Sequence, residues 1–161
     1  MNDTSISQQQ MFELYEMVRS LRDELLDVLT DDDLAATLPG ENPTFGAMLR
    51  ELGETQAAYL ESFKTFTLTW GVRYGDDAVE TDIEALRMWF AQLDADVLAA
   101  LKALSPEDFA GKIVKRDGFE IPVQNNLLVY REALFIAYGK AAVYLKAISK
   151  PLPGRWPLWI G

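Results

Sequence analysis

The apolar residues of this chain recur with the period of an α-helix in four long stretches. In each stretch they fall at steps of three and four positions, which places them on one face of a helix. The stretches run from about Ser7 to Leu29, from Thr44 to Phe63, from Thr81 to Leu104, and from Val123 to Ile148. Four amphipathic helices of similar length predict an all-α fold, an antiparallel-type four-helix bundle, formed as a single domain over residues 1–161.

Capping residues predict where several helices begin. Ser7 with Gln10, and Thr81 with Glu84, have the spacing of a capping box. In that motif a hydroxyl oxygen and a carboxyl or amide oxygen accept hydrogen bonds from free backbone N–H groups at the helix start. Ser105, which is followed by a proline, predicts the start of a further short helix.

Two connecting segments are less regular than the helices. The segment Thr30–Asp33 is able to cap a short helical turn over Leu34–Ala36, and two prolines and a glycine break the chain after it. The stretch from Thr65 to Trp70 mixes β-branched and aromatic residues with some alternation, which leaves both helix and strand open for it.

The sequence predicts a short β-hairpin before the last helix and an extended segment after it. Two short apolar runs between Ile113 and Ile121 flank Asp117-Gly118, a dipeptide typical of two-residue hairpin turns. The tail from Pro151 to Ile160 contains three prolines and two tryptophans. We therefore expect an extended strap that packs on the bundle rather than a helix.

The amino-acid composition excludes several kinds of catalytic group and metal site. The 161 residues include no cysteine and no histidine. Their absence excludes thiol nucleophiles, imidazole bases, zinc fingers, haem ligation by histidine and disulfide bonds. The sequence also contains no phosphate-binding glycine loop, dinucleotide fingerprint or serine nucleophile elbow. We therefore expect no cofactor.

The charge is negative overall and unevenly distributed. The formal net charge is −10, with −8 in residues 1–41, −5 in residues 42–104 and +3 in residues 105–161. An acidic protein repels the phosphate backbone, so we expect no binding to nucleic acid. The apolar runs are too short to span a membrane, and the first ten residues lack the features of a signal peptide. We expect a cytoplasmic protein without membrane contact.

Three segments, taken in their order along the chain, match a known family pattern. They are Thr44–Gln56 followed by Tyr59-Leu60, then Ile121-Pro122-Val123 entering a helix with Tyr138-Gly139-Lys140 and Tyr144-Leu145-Lys146, and finally Pro151-Leu152-Pro153 with the tryptophans after it. Together they resemble the DinB/YfiT-like family of four-helix-bundle proteins. The resemblance extends over nearly the whole chain and implies the same bundle fold.

The resemblance also implies a divalent metal site held by three histidines, one on the second long helix and two on the last, four residues apart. The corresponding positions here are Glu51, Ala133 and Ala137, and a shift of one residue places Glu132 at the first alanine position. Because the methyl group of alanine cannot bind a metal, we expect a degenerate site that holds none. Some metal-bearing relatives are transferases or isomerases that use bacillithiol or mycothiol, and that chemistry is thought to need the metal.

The remaining candidate site residues are carboxylates and phenols. Glu51 and Glu132 are able to share a proton or bind a hard cation if they converge on one cavity. Otherwise, Glu51 is expected to pair with a neighbouring arginine or lysine or to face solvent. Tyr59, Tyr130, Tyr138 and Tyr144 are able to line a cofactor or ligand pocket with phenolic donors, or to lie in the core with only their hydroxyl groups polar.

These features lead to three hypotheses of function. In the first, the protein is a non-catalytic bundle that binds a small molecule or a partner where its relatives hold metal. In the second, it is a metal-independent or thiol-dependent enzyme, transferase-like or hydrolase-like, in which Glu51 acts as general base. In the third, it is a homodimer held by helix packing without any site, and a homodimer is the expected assembly.

Overall fold

A computed structural model describes residues 7–161, so most of the segment examined for a signal peptide lies outside the described residues. The helices are α1 (Gln8–Val28), α2 (Asp31–Leu34), α3 (Phe45–Thr65), α4 (Ile83–Lys102), α5 (Pro106–Gly111), α6 (Val123–Ala147) and α7 (Trp156–Trp159). A 3₁₀ helix spans Asp77–Glu80, and two strands, β1 (Ile113–Arg116) and β2 (Phe119–Pro122), form one antiparallel hairpin. The predicted all-α bundle with a short hairpin is confirmed.

The long helices pack around one apolar core. Helix α3 packs against both α4 and α6, and α1 packs against α6. The 3₁₀ helix lies in the long link between α3 and α4 and packs on both. None of the helices in residues 7–161 combines the length and the apolarity that crossing a bilayer requires.

The helix starts follow the predicted caps in part. At α1 the Ser7 hydroxyl accepts from the N–H of Gln10 at 3.2 Å, and the Gln10 side chain accepts from the N–H of Ser7 at 2.9 Å. The prediction for α4 is wrong by one residue. The cap of α4 is Asp82, because the N–H of Thr81 donates to Ala78 and so belongs to the end of the 3₁₀ helix.

The early acidic segment also differs from its prediction in position. Helix α2 covers Asp31–Leu34, whereas the expected turn covered Leu34–Ala36. The side chain of Asp33 explains why the helix begins earlier than predicted. Its carboxylate accepts from the N–H and the hydroxyl of Thr30 at 2.7 and 2.9 Å, which makes Thr30 the cap at the start of α2.

The ambiguous stretch after α3 is extended and lies beside the hairpin. Phe66 adopts a left-handed backbone conformation with φ of 56°, which ends α3. The N–H of Leu68 then donates to the carbonyl of Lys115 at 2.8 Å, and the N–H of Lys115 donates to the carbonyl of Phe66 at 2.9 Å. The segment therefore runs parallel to β1 over a single bridge.

The tail packs on the bundle, but the expectation that it contains no helix is wrong. Trp156 begins a helical turn, α7, with Pro157 at its start. A proline is tolerated there because N–H groups in the first turn of a helix have no partner within the helix. Trp156 is fully buried, and its indole N–H donates to the carbonyl of Leu21 on α1 at 2.8 Å.

Candidate functional site

A cavity of about 160 Å³ lies between α3 and α6, and we call it the α3–α6 groove. Its walls are made by Met48, Glu51, Leu52 and Thr55 from α3, and by Ala133, Ile136, Ala137 and Lys140 from α6. These residues meet because both helices present positions three or four apart toward each other. Most of the lining is apolar, and the polar groups are one carboxylate, one ammonium and one hydroxyl.

A second cavity of about 250 Å³ adjoins the groove toward the start of α3. The two cavities share Met48, Glu51 and Lys140 as lining residues. The second one is completed by residues of the loop before α3 and of the end of α6, namely Leu38, Asn42, Pro43, Val143 and Tyr144. Glu51 and Lys140 therefore stand where the two spaces meet.

The charged residues of the groove take no part in the ion pairs that connect the described residues. Glu51 and Lys140 are both exposed, and within residues 7–161 neither has an oppositely charged group within 4.0 Å. Of the sequence-based alternatives for Glu51, the structure supports a position facing solvent. A carboxylate and an ammonium in this state remain available to a ligand.

The neighbouring Arg50 behaves in the opposite way. It points away from the groove, is buried, and binds Glu54 and Glu80 at 3.0 Å each, together with Asp77 and the carbonyl of Tyr74. The hydrogen bond from Arg50 is the main reason why the pKa of Asp77 lies below its ordinary value. Arg50 therefore holds the 3₁₀ helix and its loop against α3.

The groove does not offer the donor set of a transition-metal site. Such sites use three or four nitrogen, sulfur or carboxylate ligands. Glu51 supplies the one carboxylate in the groove, and Ala133 and Ala137 supply methyl groups. Within residues 7–161 there is no group of three or more aspartate, glutamate, cysteine or histidine side chains that could hold a metal ion.

The structure does not bring the other candidate residues to the groove. Tyr59, Tyr130 and Tyr138 are buried in the core, and Glu132 is exposed on α6 without lining the groove or its neighbouring cavity. The Tyr138 hydroxyl donates to the carbonyl of Val18 at 3.1 Å. Burial raises the pKa of Tyr138 and of Tyr130, so both remain neutral phenols.

A buried polar cluster in the bundle interior was missed by the sequence analysis. It consists of Arg22 on α1, Gln56 on α3 and Asp94 on α4, and we call it the Arg22 cluster. Arg22 donates to Gln56 at 2.7 Å and to Asp94, and Gln56 donates to Asp94 at 2.7 Å. Arg19 is the third residue that donates to Asp94, at 2.9 Å, and the Arg22 guanidinium lies 4.1 Å from the centre of the Phe90 ring.

The positive charge of the buried Arg22 is stabilised by the other residues of the cluster. Burial acts to lower the pKa of Arg22, but the nearby groups, with the Asp94 carboxylate first among them, together outweigh burial, so the pKa is raised and the guanidinium stays charged. The sequence contains a signal for this residue, because Arg22 lies four positions after Val18 and three before Leu25, within the apolar stripe of α1. A charged residue at a core position indicates a buried partner.

A cavity of about 390 Å³ lies over the cluster between α1 and α4, and its charged walls are already paired. Arg19 binds Glu16, Asp23 and Asp94, and Arg87 binds Asp27 and Glu84. This cavity is larger than the α3–α6 groove, but a ligand entering it would have to compete with existing ion pairs. The groove is therefore the better candidate site.

Both the sequence and the fold are similar to those of known proteins. The sequence profile of the DinB superfamily matches residues 14–137. A crystal structure of a DinB-like protein from Bacillus cereus is similar in fold, with a TM-score of 0.77 and 17% sequence identity over 91% of this chain and 95% of that chain. No curated protein matches the sequence.

Proposed function

This chain is a member of the DinB superfamily, and from that premise we propose that it binds a small organic molecule in the α3–α6 groove without a transition metal. The observation that carries the proposal is the composition of the groove. Glu51, Ala133 and Ala137, the three positions that the family resemblance assigns to metal-binding histidines, line the same cavity. Two of the three offer methyl groups, which leave space for a ligand but no bond to a metal.

The size and lining of the groove define the class of ligand. An apolar cavity of about 150 Å³ is large enough to admit a benzene-sized molecule, and the groove has about 160 Å³. Met48, Leu52 and Ile136 provide apolar contact, while Glu51 and Lys140 provide opposite charges. A small molecule with an apolar body and both an amine and a carboxylate would complement this surface.

The geometry favours binding over catalysis. A general base is tuned to its task by burial and by fixed neighbours, but Glu51 is exposed and has no ion-pair partner within residues 7–161. Three of the candidate tyrosines, Tyr59, Tyr130 and Tyr138, lie in the core away from the groove. Tyr144 lines the adjoining cavity, but its hydroxyl already donates to the carbonyl of Pro43 at 2.6 Å. For these reasons we propose a binding protein and not an enzyme that uses Glu51.

The test uses 6-aminohexanoate, which carries an amine and a carboxylate on an apolar chain, with hexylamine and hexanoate as singly charged controls. We expect 6-aminohexanoate to raise the melting temperature of untagged protein in proportion to its binding. Glu51→Gln and Ala137→Phe should abolish that shift, because they remove a charge and fill the groove. Glu132→Gln and Ala147→Phe, on exposed positions of α6 outside the groove, are the matched controls.

Two results would contradict the proposal. One is stoichiometric zinc or nickel in protein purified without an affinity tag and analysed by mass spectrometry. The other is an equal response of the wild-type protein and of the Ala137→Phe variant to all three compounds, since this would place any binding outside the groove.

A second candidate function is self-association through the rim of the same groove. Ile136 and Val143 lie at this rim, seven positions apart on one face of α6, and are 65% and 52% exposed, so together they offer an apolar surface to a second copy of the chain. If this face is a homodimer interface, Ile136→Glu should convert a dimer into a monomer in analytical ultracentrifugation. A wild-type mass of 18.1 kDa in solution would remove this candidate.

A further inference from the structure

We propose a second binding site, at the tip of the β-hairpin, that takes a small aromatic carboxylate on the exposed parts of Trp70 and Phe119 and holds its charge at Arg116. It shares no residue with the α3–α6 groove and does not depend on the function proposed for that groove. It consists of one guanidinium between aromatic rings, at the point where the extended segment after α3 meets the hairpin.

The backbone brings these three residues together. Arg116 is directly opposite Phe119 in the hairpin register, so the two side chains lie on the same face. This is also the face of the buried Val114, because side chains alternate along a strand. The bridge between Thr67 and Lys115 then lays the extended segment alongside β1, which places Trp70 beside Arg116.

Arg116 is a guanidinium without a carboxylate partner. Within residues 7–161 no acidic oxygen lies within 4.0 Å of it, although the chain has 25 acidic residues against 15 basic ones. Its hydrogen bonds come from one nitrogen, Nη1, and go to neutral oxygens, the Asn126 amide at 2.9 Å and the Tyr59 hydroxyl at 3.3 Å. A partly buried charge is normally paired with an opposite charge. Because the Arg116 guanidinium has no such partner among the described residues, it is able to bind an anion.

The aromatic rings around Arg116 define the shape of the ligand. The guanidinium carbon lies 5.0 Å from the Phe119 ring centre, 5.4 Å from that of Tyr59 and 6.0 Å from that of Trp70. Trp70 and Phe119 are 48% and 50% exposed, so each offers part of a ring to solvent. A flat ring could pack on them while its carboxylate meets the planar fork of the guanidinium.

An aromatic carboxylate is favoured over a nucleic acid as the ligand. A nucleic acid would bring many phosphates to a protein with a net charge of −10, and binding of that kind depends on several cations at once. The site offers one guanidinium and two exposed rings, which suits one carboxylate attached to one ring.

The test uses benzoate as the probe, with acetate and benzyl alcohol as controls that carry its charge or its ring alone. Titrations are followed by the NMR signals of the four indole N–H groups in protein labelled with ¹⁵N. We expect benzoate to shift the Trp70 signal in a saturable way and to leave that of the buried Trp156 unchanged. Acetate and benzyl alcohol should each bind at least about tenfold more weakly.

Variants separate binding from the structural role of Arg116, which also fastens the hairpin to Asn126. Arg116→Gln should weaken benzoate binding at least about tenfold, whereas Lys115→Gln removes the same charge from the opposite face of β1 and should leave binding unchanged. Trp70→Leu, at a half-exposed position, should weaken binding without unfolding the hairpin. Because this variant lacks the Trp70 signal, its binding is compared with that of the wild type by the saturable broadening of the benzoate ring-proton signals. Trp159→Leu, at a similarly exposed tryptophan on α7, is its control.

Any of three results would overturn the proposal. The first is a Trp70 signal that benzoate does not move in a saturable way. The second is equal binding of benzoate by wild-type protein and by a folded Trp70→Leu variant. The third is a loss of binding in Lys115→Gln as large as that in Arg116→Gln, because the anion would then respond to the general charge of the hairpin.

Discussion

The Arg22 cluster and the α3–α6 groove both place opposite charges on neighbouring helices, but the charges are buried and paired in the cluster and exposed and unpaired in the groove. In the cluster, Asp94 accepts hydrogen bonds from Arg22, Gln56 and Arg19, and the Arg22 side chain is fully buried. In the groove, Glu51 and Lys140 face solvent beside open space and form no ion pair with the described residues.

The difference separates residues that maintain the fold from residues that are free to bind. A buried charge is expensive to leave alone, so its partners are fixed by the folded state. An exposed pair of opposite charges costs little to keep apart, because water solvates both groups. Ligand binding is therefore expected where the charges are unpaired and not where the polar network is most extensive.

The largest expected effect comes from breaking the buried cluster. Asp94→Ala leaves the Arg22 guanidinium buried without its anion, and removing one partner of a buried pair typically costs about 3–5 kcal/mol of unfolding free energy. Urea denaturation monitored by circular dichroism measures this loss. Asp96→Ala, two residues further along α4 and bonded at the surface to Gln92, should cost less than about 1 kcal/mol. A loss in Asp94→Ala no larger than in Asp96→Ala would contradict the role of the cluster.

Much of the fold could be predicted because it follows from local pattern. The apolar periodicity of the four long helices, the Asp117-Gly118 turn and the capping box at Ser7 are each encoded within a few residues. Where prediction failed, a distant or competing contact decided the outcome. The indole N–H of Trp156 donates to the carbonyl of Leu21 on α1, which fixes the residue at the start of α7. The backbone N–H of Thr81 donates to the carbonyl of Ala78 in the 3₁₀ helix, so Thr81 does not cap α4.

The candidate site was less predictable than the fold. The family resemblance assigned Glu51, Ala133 and Ala137 to one site, and in the structure they line one cavity. Spacing did not reveal that Tyr59 and Tyr130 stack on each other in the core with their ring centres 4.6 Å apart. The choice between a pocket and a core position depends on how α3 and α6 pack, which a one-dimensional pattern does not contain.

Two buried tyrosines provide the next test, since one hydroxyl has a partner and the other does not. Tyr138→Phe removes a hydrogen bond to the carbonyl of Val18 and should cost about 1 kcal/mol. The Tyr130 hydroxyl has no hydrogen-bond partner among residues 7–161, so Tyr130→Phe should be neutral or slightly stabilising. Thermal and urea denaturation of both variants measure the difference. A larger loss in Tyr130→Phe than in Tyr138→Phe would show that the Tyr130 hydroxyl is part of a polar network.

A smaller effect is expected at the contact between α2 and the end of α6, and it depends on pH. Partial burial acts to raise the pKa of Asp33, but hydrogen bonds from Lys150 and Thr30 outweigh it, so the pKa is lowered. A lowered pKa means that the carboxylate stabilises the fold above the unfolded-state value of about 3.9 and loses this effect as the pH falls below it. Asp33→Asn should therefore cost about 0.5–1 kcal/mol at pH 7, and the difference from wild type should shrink steadily as the pH falls below about 3.9. A cost that is independent of pH would assign the effect to helix capping alone.

The smallest effect is expected in the groove and provides the sharpest contrast with the cluster. Because Glu51 and Lys140 are exposed and unpaired, Glu51→Gln and Lys140→Gln should each change the free energy of unfolding by less than about 0.5 kcal/mol. The double variant should equal the sum of the two, so that the coupling energy of the cycle is close to zero. The same cycle on Arg22 and Asp94 should give a coupling of about 1 kcal/mol or more, because each charge is costly without the other. A comparable coupling between Glu51 and Lys140 would mean that these charges belong to the fold after all, and the groove would then lack the free polar groups on which the proposed binding depends.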